Sequence, residues 1–348
     1  MGQEKLKIRD IAALAGVSTA AVSAVLNNRP KVSAATRERI LEIIRANNYV
    51  PQSAARALSG KRTYQIGFLV SCKVTLGLAN NYFATILSGA HDICHSRNYN
   101  LVISTYDLSD IAHFIMPTNI RQRNIDGLIL AGITTPSVVK EIQSANIPFI
   151  MVGGSYPDDV LCVCADTEKT AEESIEFLYD LGHRRLIFPI SFALTEEITR
   201  RAIANLSARR PLNDLEVSFP LVSDSEFIAG EKLADLYFET PPHKRFTALV
   251  GDDQCSAGFL SRFIRRGGRC PDDVSILTIE TPLSRYGIVP MTTVDYRLFE
   301  IGQRAANGLI NLLEKKVTFD ELNDNLHRFR NSAEIIIRDS TGPGPAAR

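Results

Sequence analysis

The chain has 348 residues, 45% of them hydrophobic, so it can bury a sizeable core and is too long for one ordinary domain; two or three units are expected. It contains no run of about 18 apolar residues, so no membrane span is expected. Residues 1–7 are mostly polar and charged, which argues against a secretory leader and for a cytoplasmic protein. Net charge is zero but unevenly spread: residues 1–62 hold eleven Lys and Arg against four acids, a net of +7, and the remainder holds 28 against 35, a net of −7. A basic head on an acidic body suggests a phosphate-binding module joined to one that does not bind phosphate backbones.

Residues 8–15 are predicted as a first helix, with Ile8, Ile11, Ala12 and Ala15 on one face. Gly16 ends it, because glycine tolerates the left-handed conformation that follows a helix. Ser18 is placed to cap the next helix, which runs from Thr19 to about Asn27 with Val22, Val25 and Leu26 inward. The triplet Asn28-Arg29-Pro30 breaks it, and Ser33 caps a third helix over about 34–46, with Ile40, Ile43 and Ile44 apolar. Residues 51–60 contain helix formers but too few turns to hold a helix alone in water, so they read as a linker able to fold on a partner.

From Tyr64 onward strands alternate with helices. Buried strands are predicted at 66–70, 101–104, 128–130, 149–152, 186–190, 248–251 and 274–277, and amphipathic helices between them at, for example, 83–97, 168–181 and 256–266. That order argues for an α/β class with parallel sheets covered by helices on both faces. About 275 residues of it suggest two lobes. A helix is expected between the second and third strands, with Pro117 at its first position. The glycine- and proline-rich tail, 341–348, reads as disordered.

Two short helices joined by a glycine-containing turn are a helix-turn-helix, which seats its second helix in the DNA major groove, N-terminus first. Residues 10–23 read DIAALAGVSTAAVS, followed by AVLN at 24–27, VSAATR at 32–37 and Tyr49-Val50-Pro51. This pattern resembles the headpiece of the lactose-repressor/purine-repressor family of transcription regulators. Further matches lie at Ile125-Asp126-Gly127, at LGHRR (181–185), at PDDVS (271–275) and at Thr292-Thr293-Val294, so the resemblance spans nearly the whole chain. It implies a headpiece over 1–50, a hinge over 51–62, and a two-lobed core over 63–340 similar to periplasmic binding proteins. The N-lobe would comprise 63–181 and 295–322, and the C-lobe 182–294 and 323–340. It also implies a homodimer, because paired headpieces read a pseudo-palindromic operator of double-stranded DNA.

In the recognition helix, Ala24 stands where the family usually has an arginine able to grip a guanine. Thr19, Ala20, Ala21, Ser23 and Ala24 offer few donors, so readout is expected from methyl contacts with thymine, short hydroxyl bonds from residues such as Ser18, and DNA shape. Lys5, Lys31, Arg37 and Arg56 are candidates for phosphate contacts. In the family the hinge wedges a leucine into the minor groove, and the matching residue is Leu58.

Ligands of open α/β sheets sit at the carboxyl ends of strands. The resemblance places effector contacts at Phe83, Asp166, Asp252 and Glu280, in a cleft that would take a sugar-like molecule. The family's arginine-x-x-glycine-aromatic element falls on residues 197–203. One register puts Arg200 in the ligand-holding place, and a shift of one residue puts Thr199 there and loses the charge. A ligand-independent regulator with a drifted cleft is therefore the competing reading. No catalytic constellation appears, and no cofactor is implied: residues 59–63 are similar to a phosphate loop but lack its spaced glycine, and no G-x-S-x-G element occurs. The six cysteines and six histidines show no metal-ligand spacing.

Overall fold

The computed structural model describes residues 6–26, 30–47, 49, 62–72, 77–132, 134–153, 159–190, 193–212, 214–221, 226–328 and 333–345. The chain divides into two compact units, the first comprising 1–64 with 122–124 and the second the rest.

In the first unit, helix α1 (Ile8–Leu14) begins where the Asp10 carboxylate accepts the Lys7 backbone N–H at 2.6 Å, satisfying a donor that a helix start leaves orphaned. Gly16 sits at φ +63° and closes α1. The Ser18 hydroxyl accepts from the Ala21 N–H and caps α2 (Thr19–Leu26), and the Ser33 hydroxyl accepts from the Thr36 N–H and caps α3 (Ala34–Ala46). Helices α1 and α2 turn by 105°, within the range of a helix-turn-helix. Ile11, Ala12, Ala15, Val22, Val25 and Ile40 form its core.

In the second unit, the first lobe is a parallel five-stranded sheet ordered β2-β1-β3-β4-β5, from β1 (Gln65–Ser71), β2 (Asn100–Tyr106), β3 (Gly127–Ala131), β4 (Phe149–Val152) and β5 (Cys162–Val163). Strand alternation sends Ile66, Phe68 and Val70 to one face and Leu69 to the other, and both faces are covered. Between β1 and β2 lies α4 (Asn81–Ser96). The expected helix after β2 is reduced to a single turn, α5 (Thr118–Arg121), with Pro117 just outside it, and α6 (Pro136–Ser144) follows β3.

The chain then crosses over at 164–166. Helix α7 (Thr167–Asp180) packs Ile175 and Leu178 against Leu186, Phe188 and Leu206, so it belongs to the second lobe rather than ending the first at residue 181. After β6 (Arg185–Ile187), α8 (Ala193–Arg209) and β7 (Glu216–Ser218) come α9 (Glu226–Glu239), β8 (Ala248–Val250), α10 (Asp253–Arg265), β9 (Ser275–Ile279), α11 (Pro282–Arg285) and β10 (Thr292–Asp295). The second sheet is ordered β11-β10-β9-β8-β6-β7, and β11 (Glu334–Ile336) is its antiparallel member. Helix α9 meets α10 at Gly230 and Gly258, where a Cβ would stand 2.0 Å from the opposite backbone. Two helices intervene before β11: α12 (Leu298–Leu313) and α13 (Phe319–Arg328) return to the first lobe and bury Ile301, Leu309, Leu322 and Leu326 there. The first lobe therefore extends beyond residue 322.

The tail corrects the expectation of disorder through Pro345. Gly342 donates to the Ser275 hydroxyl and accepts from the His183 ring, and the Gly344 N–H donates to the Leu181 carbonyl at 2.7 Å. Those backbone bonds fasten a segment whose composition alone suggests none.

Candidate functional site: a DNA-reading helix and an interlobe cleft

Capping by Ser18 exposes the start of α2. Ser18, Thr19 and Ala20 are open, Ala21 and Ser23 are half-buried, and Ala24 is covered at 8% exposure. Lys31 is exposed and Arg37 half-buried. Lys5, Arg56 and the hinge leucine, Leu58, lie outside the described residues.

The second unit encloses a cavity of about 370 Å³ between its lobes. The first lobe supplies Asn80, Tyr82 and Phe83 at the start of α4, and Tyr296 comes from the strand-to-helix crossing. From the second lobe come the start of α7 (Thr167, Thr170, Ala171), the inner face of α8 (Thr195, Ile198, Thr199), Glu226, and the carboxyl ends of β6, β8 and β9. Strand ends leave unpaired backbone and room for a ligand, which is where open α/β sheets bind.

Two helix starts hold the polar groups. The Asn80 side chain accepts from the Tyr82 N–H and caps α4, which fixes Tyr82 and Phe83 edge-to-face at 5.0 Å. Asp252 caps α10 through the Cys255 N–H at 2.8 Å. Burial, with Asp253 beside it, lifts the Asp252 carboxyl above its ordinary range, while backbone N–H groups pull it back. Asp253 is buried and ties the lobes together: its Oδ2 accepts from the Asn81 amide of the first lobe and from the Thr281 hydroxyl of the second, each at 2.7 Å. The Glu226 carboxyl is pushed up to about 7 by burial and then by Asp252 and Asp253. Its Oε2 is buried with no hydrogen-bond partner. Burial also raises both tyrosines, Tyr296 to about 12 and Tyr82 further, so both rings are neutral phenols.

Of the five effector candidates, Phe83 and Asp252 line the cavity, and the other three are corrected. Asp166 caps α7 through the Lys169 N–H and borders a separate acidic groove. Arg200 points out to solvent, pairs with Glu196 at 2.7 Å and lies over the Phe219 ring. Its neighbour Thr199, 3% exposed, faces the cavity, so the register without the charge is the one the fold adopts. Glu280 is buried among Arg285, Arg338 and the Thr293 hydroxyl. Although burial disfavours its charge, the hydrogen bonds from Arg338, Thr293 and Arg285 hold its carboxyl below the usual range. It is part of the frame behind the cleft. Sequence reasoning missed Glu226, Phe188, Thr278 and Tyr296. Glu226 carries no signal beyond an acid in the first turn of a helix, an ordinary complement to the helix dipole.

Among the described residues no group of three or more His, Cys, Asp and Glu side chains could hold a metal, and no single helix is long and apolar enough to cross a membrane. None of the six cysteines is in a disulfide.

A profile of the lacI family of bacterial regulatory proteins matches residues 7–52, and one of the periplasmic binding protein-like domain matches residues 175–341. Catabolite control protein A of Priestia megaterium is 26% identical over 94% of this chain and 99% of its own. The HTH-type transcriptional repressor PurR of Vibrio parahaemolyticus is 26% identical over 96% and 98%, and the probable HTH-type transcriptional repressor ExuR of Bacillus subtilis 26% over 96% and 97%. Among solved structures, the lac repressor dimer bound to operator and an anti-inducer superposes with a TM-score of 0.76 at 21% identity, covering 97% of this chain and 100% of that one. A CelR–cellobiose complex superposes with a TM-score of 0.63 at 21% identity, covering 96% and 99%. At these identities the structures establish the shared fold.

Proposed function

We propose, for a chain that belongs to the LacI family of DNA-binding regulators controlled by small molecules, that it represses transcription and that its effector sits in the interlobe cleft. What supports this reading most is the cavity, whose walls come from both lobes. An occupant touching both lobes distinguishes one lobe arrangement from another, and only a ligand with such differential affinity can shift a conformational equilibrium. The Asn81–Asp253 hydrogen bond spans the same gap and would be made or broken with it. Repression is favoured because the PurR and ExuR relatives are named repressors.

The headpiece reads its operator through Ser18, Thr19, Ala20, Ala21, Ser23 and Ala24, with Lys31, Arg37 and Arg56 on phosphates and Leu58 as the minor-groove wedge. The protein acts as a homodimer, in keeping with the dimeric lac repressor on its operator. It binds its effector without turning it over. Selection of bound duplexes from a random pool tests this reading: a two-fold-symmetric motif is expected. Enrichment of no motif, with only salt-sensitive binding, would refute it.

A further inference from the structure

We propose that the cleft's ligand is an organic cation, a small molecule whose ammonium group meets Glu226 and Asp252 while its body packs on the aromatic walls. This inference rests on the cleft being the effector site.

Three observations carry it. First, three carboxylates border one cavity, and they are not equally occupied. Asp253 spends its Oδ2 on Asn81 and Thr281, and Asp252 spends its Oδ1 on capping α10. Glu226 lines the cavity, and its Oε2 is buried with no hydrogen-bond partner. A buried unpaired carboxylate oxygen is costly, and a charged donor from a ligand is the strongest partner it could gain. Second, Tyr82, Phe83, Phe188 and Tyr296 face the same cavity. Aromatic faces carry negative quadrupole charge and attract cations, most strongly where water is excluded. Third, Thr199 faces the cavity while its neighbour Arg200 is turned outward onto Glu196 and Phe219. Among the described residues that line the cavity there is no Lys, Arg or His. A ligand carboxylate or phosphate would meet like charge, whereas an ammonium relieves the repulsion among the three acids.

Matched ligands test this with the full-length protein. Calorimetric titration compares glucosamine, glucose and glucuronate, and separately putrescine, butane-1,4-diol and succinate, so that charge changes while the body is held nearly constant. The ammonium member is expected to bind at least about tenfold more tightly than its neutral counterpart in at least one series, with the anionic member weakest. Glu226→Gln is expected to remove most of that preference, the ammonium member losing more affinity than the neutral one. The variant should melt no lower than wild type at pH 8, because it removes a charge that burial and its two acidic neighbours disfavour. Glu226 faces Asp252, Asp253 and the Cys255 thiol, which burial keeps neutral. Putrescine, charged throughout, should therefore bind more tightly as pH rises from 6 to 8 and Glu226 gives up its proton.

Preference for the neutral or anionic member, indifference of the ammonium affinity to Glu226→Gln and to pH, or no binding by any of the six would overturn the inference. Failure of the underlying reading looks different. Ammonium ligands that bind through Glu226 but leave operator affinity unchanged would support the cation and refute effector control. A neutral ligand that binds and shifts operator affinity would do the reverse.

Discussion

The headpiece and the cleft are built by different kinds of instruction. The headpiece is made of contacts between residues close in sequence: Gly16 closes one helix, Ser18 and Ser33 open the next two, and six small or branched apolar residues fill the space between. The cleft is assembled from segments as far apart as Asn80 and Tyr296, and its chemistry turns on which of two adjacent residues on α8, Thr199 or Arg200, faces inward. The local device depends on a few neighbouring residues, whereas a wall made from many segments depends on how the whole second unit folds.

That contrast can be broken at both ends. The largest effect is expected at Glu280, which belongs to the frame and not to the ligand. Glu280→Ala leaves Arg338 and Arg285 facing each other without their shared partner, and should cost about 3 kcal/mol in denaturant unfolding. Ligand affinity of the folded fraction should be unchanged, and a selective loss of binding would return Glu280 to the cleft. Because this carboxyl titrates below the ordinary glutamate range when folded, its contribution is present above that range and is lost as pH falls through the lower folded value. Acid unfolding of wild type should therefore flatten in the variant.

Asp253→Ala comes next. It strands the Asn81 amide and the Thr281 hydroxyl and should cost about 1–3 kcal/mol of stability. Asn81→Ala should cost less, yet change the response of operator affinity to ligand, because it cuts only the bond that crosses between lobes. In the hinge, Leu58→Ala should weaken operator binding about tenfold while leaving non-specific binding nearly untouched; equal losses on both DNAs would remove the wedge. The smallest effect is expected from Ala24→Arg, which should add a preference for guanine at one position of each half-site, worth about 1 kcal/mol. An unchanged selected sequence would mean that the covered Ala24 methyl is turned away from the groove.

The same contrast explains what could be read from the sequence. Caps, the left-handed glycine and the apolar faces of α1 to α3 are short-range signals, and the headpiece elements lie within a residue or two of their expected bounds. The long buried strands 66–70, 128–130 and 149–152 also stood out, because both faces of a parallel sheet are covered and the runs are continuously apolar. Strands β5, β7 and β11 bury at most one residue each, so their short runs carry little apolar pattern. The tail misled because glycine and proline suggest freedom, whereas the Gly344 N–H and the Gly342 carbonyl are spent on the second lobe. Within the cleft, Asp252 and Phe83, which the resemblance points to, line the cavity. Glu280 was misread because its partners Arg285 and Arg338 converge only in the fold, and Glu226 because burial, not sequence, makes its carboxyl unusual.

The central claim is that the charge state of the cleft is felt at the operator. The direct measurement is operator affinity, by fluorescence anisotropy on the selected duplex, for wild type and Glu226→Gln with and without saturating putrescine. If the account holds, putrescine shifts the wild-type Kd by at least about fivefold, in the range of ordinary allosteric coupling, and the variant responds far less. A wild-type operator affinity that stays constant while calorimetry shows the cleft filled would contradict it.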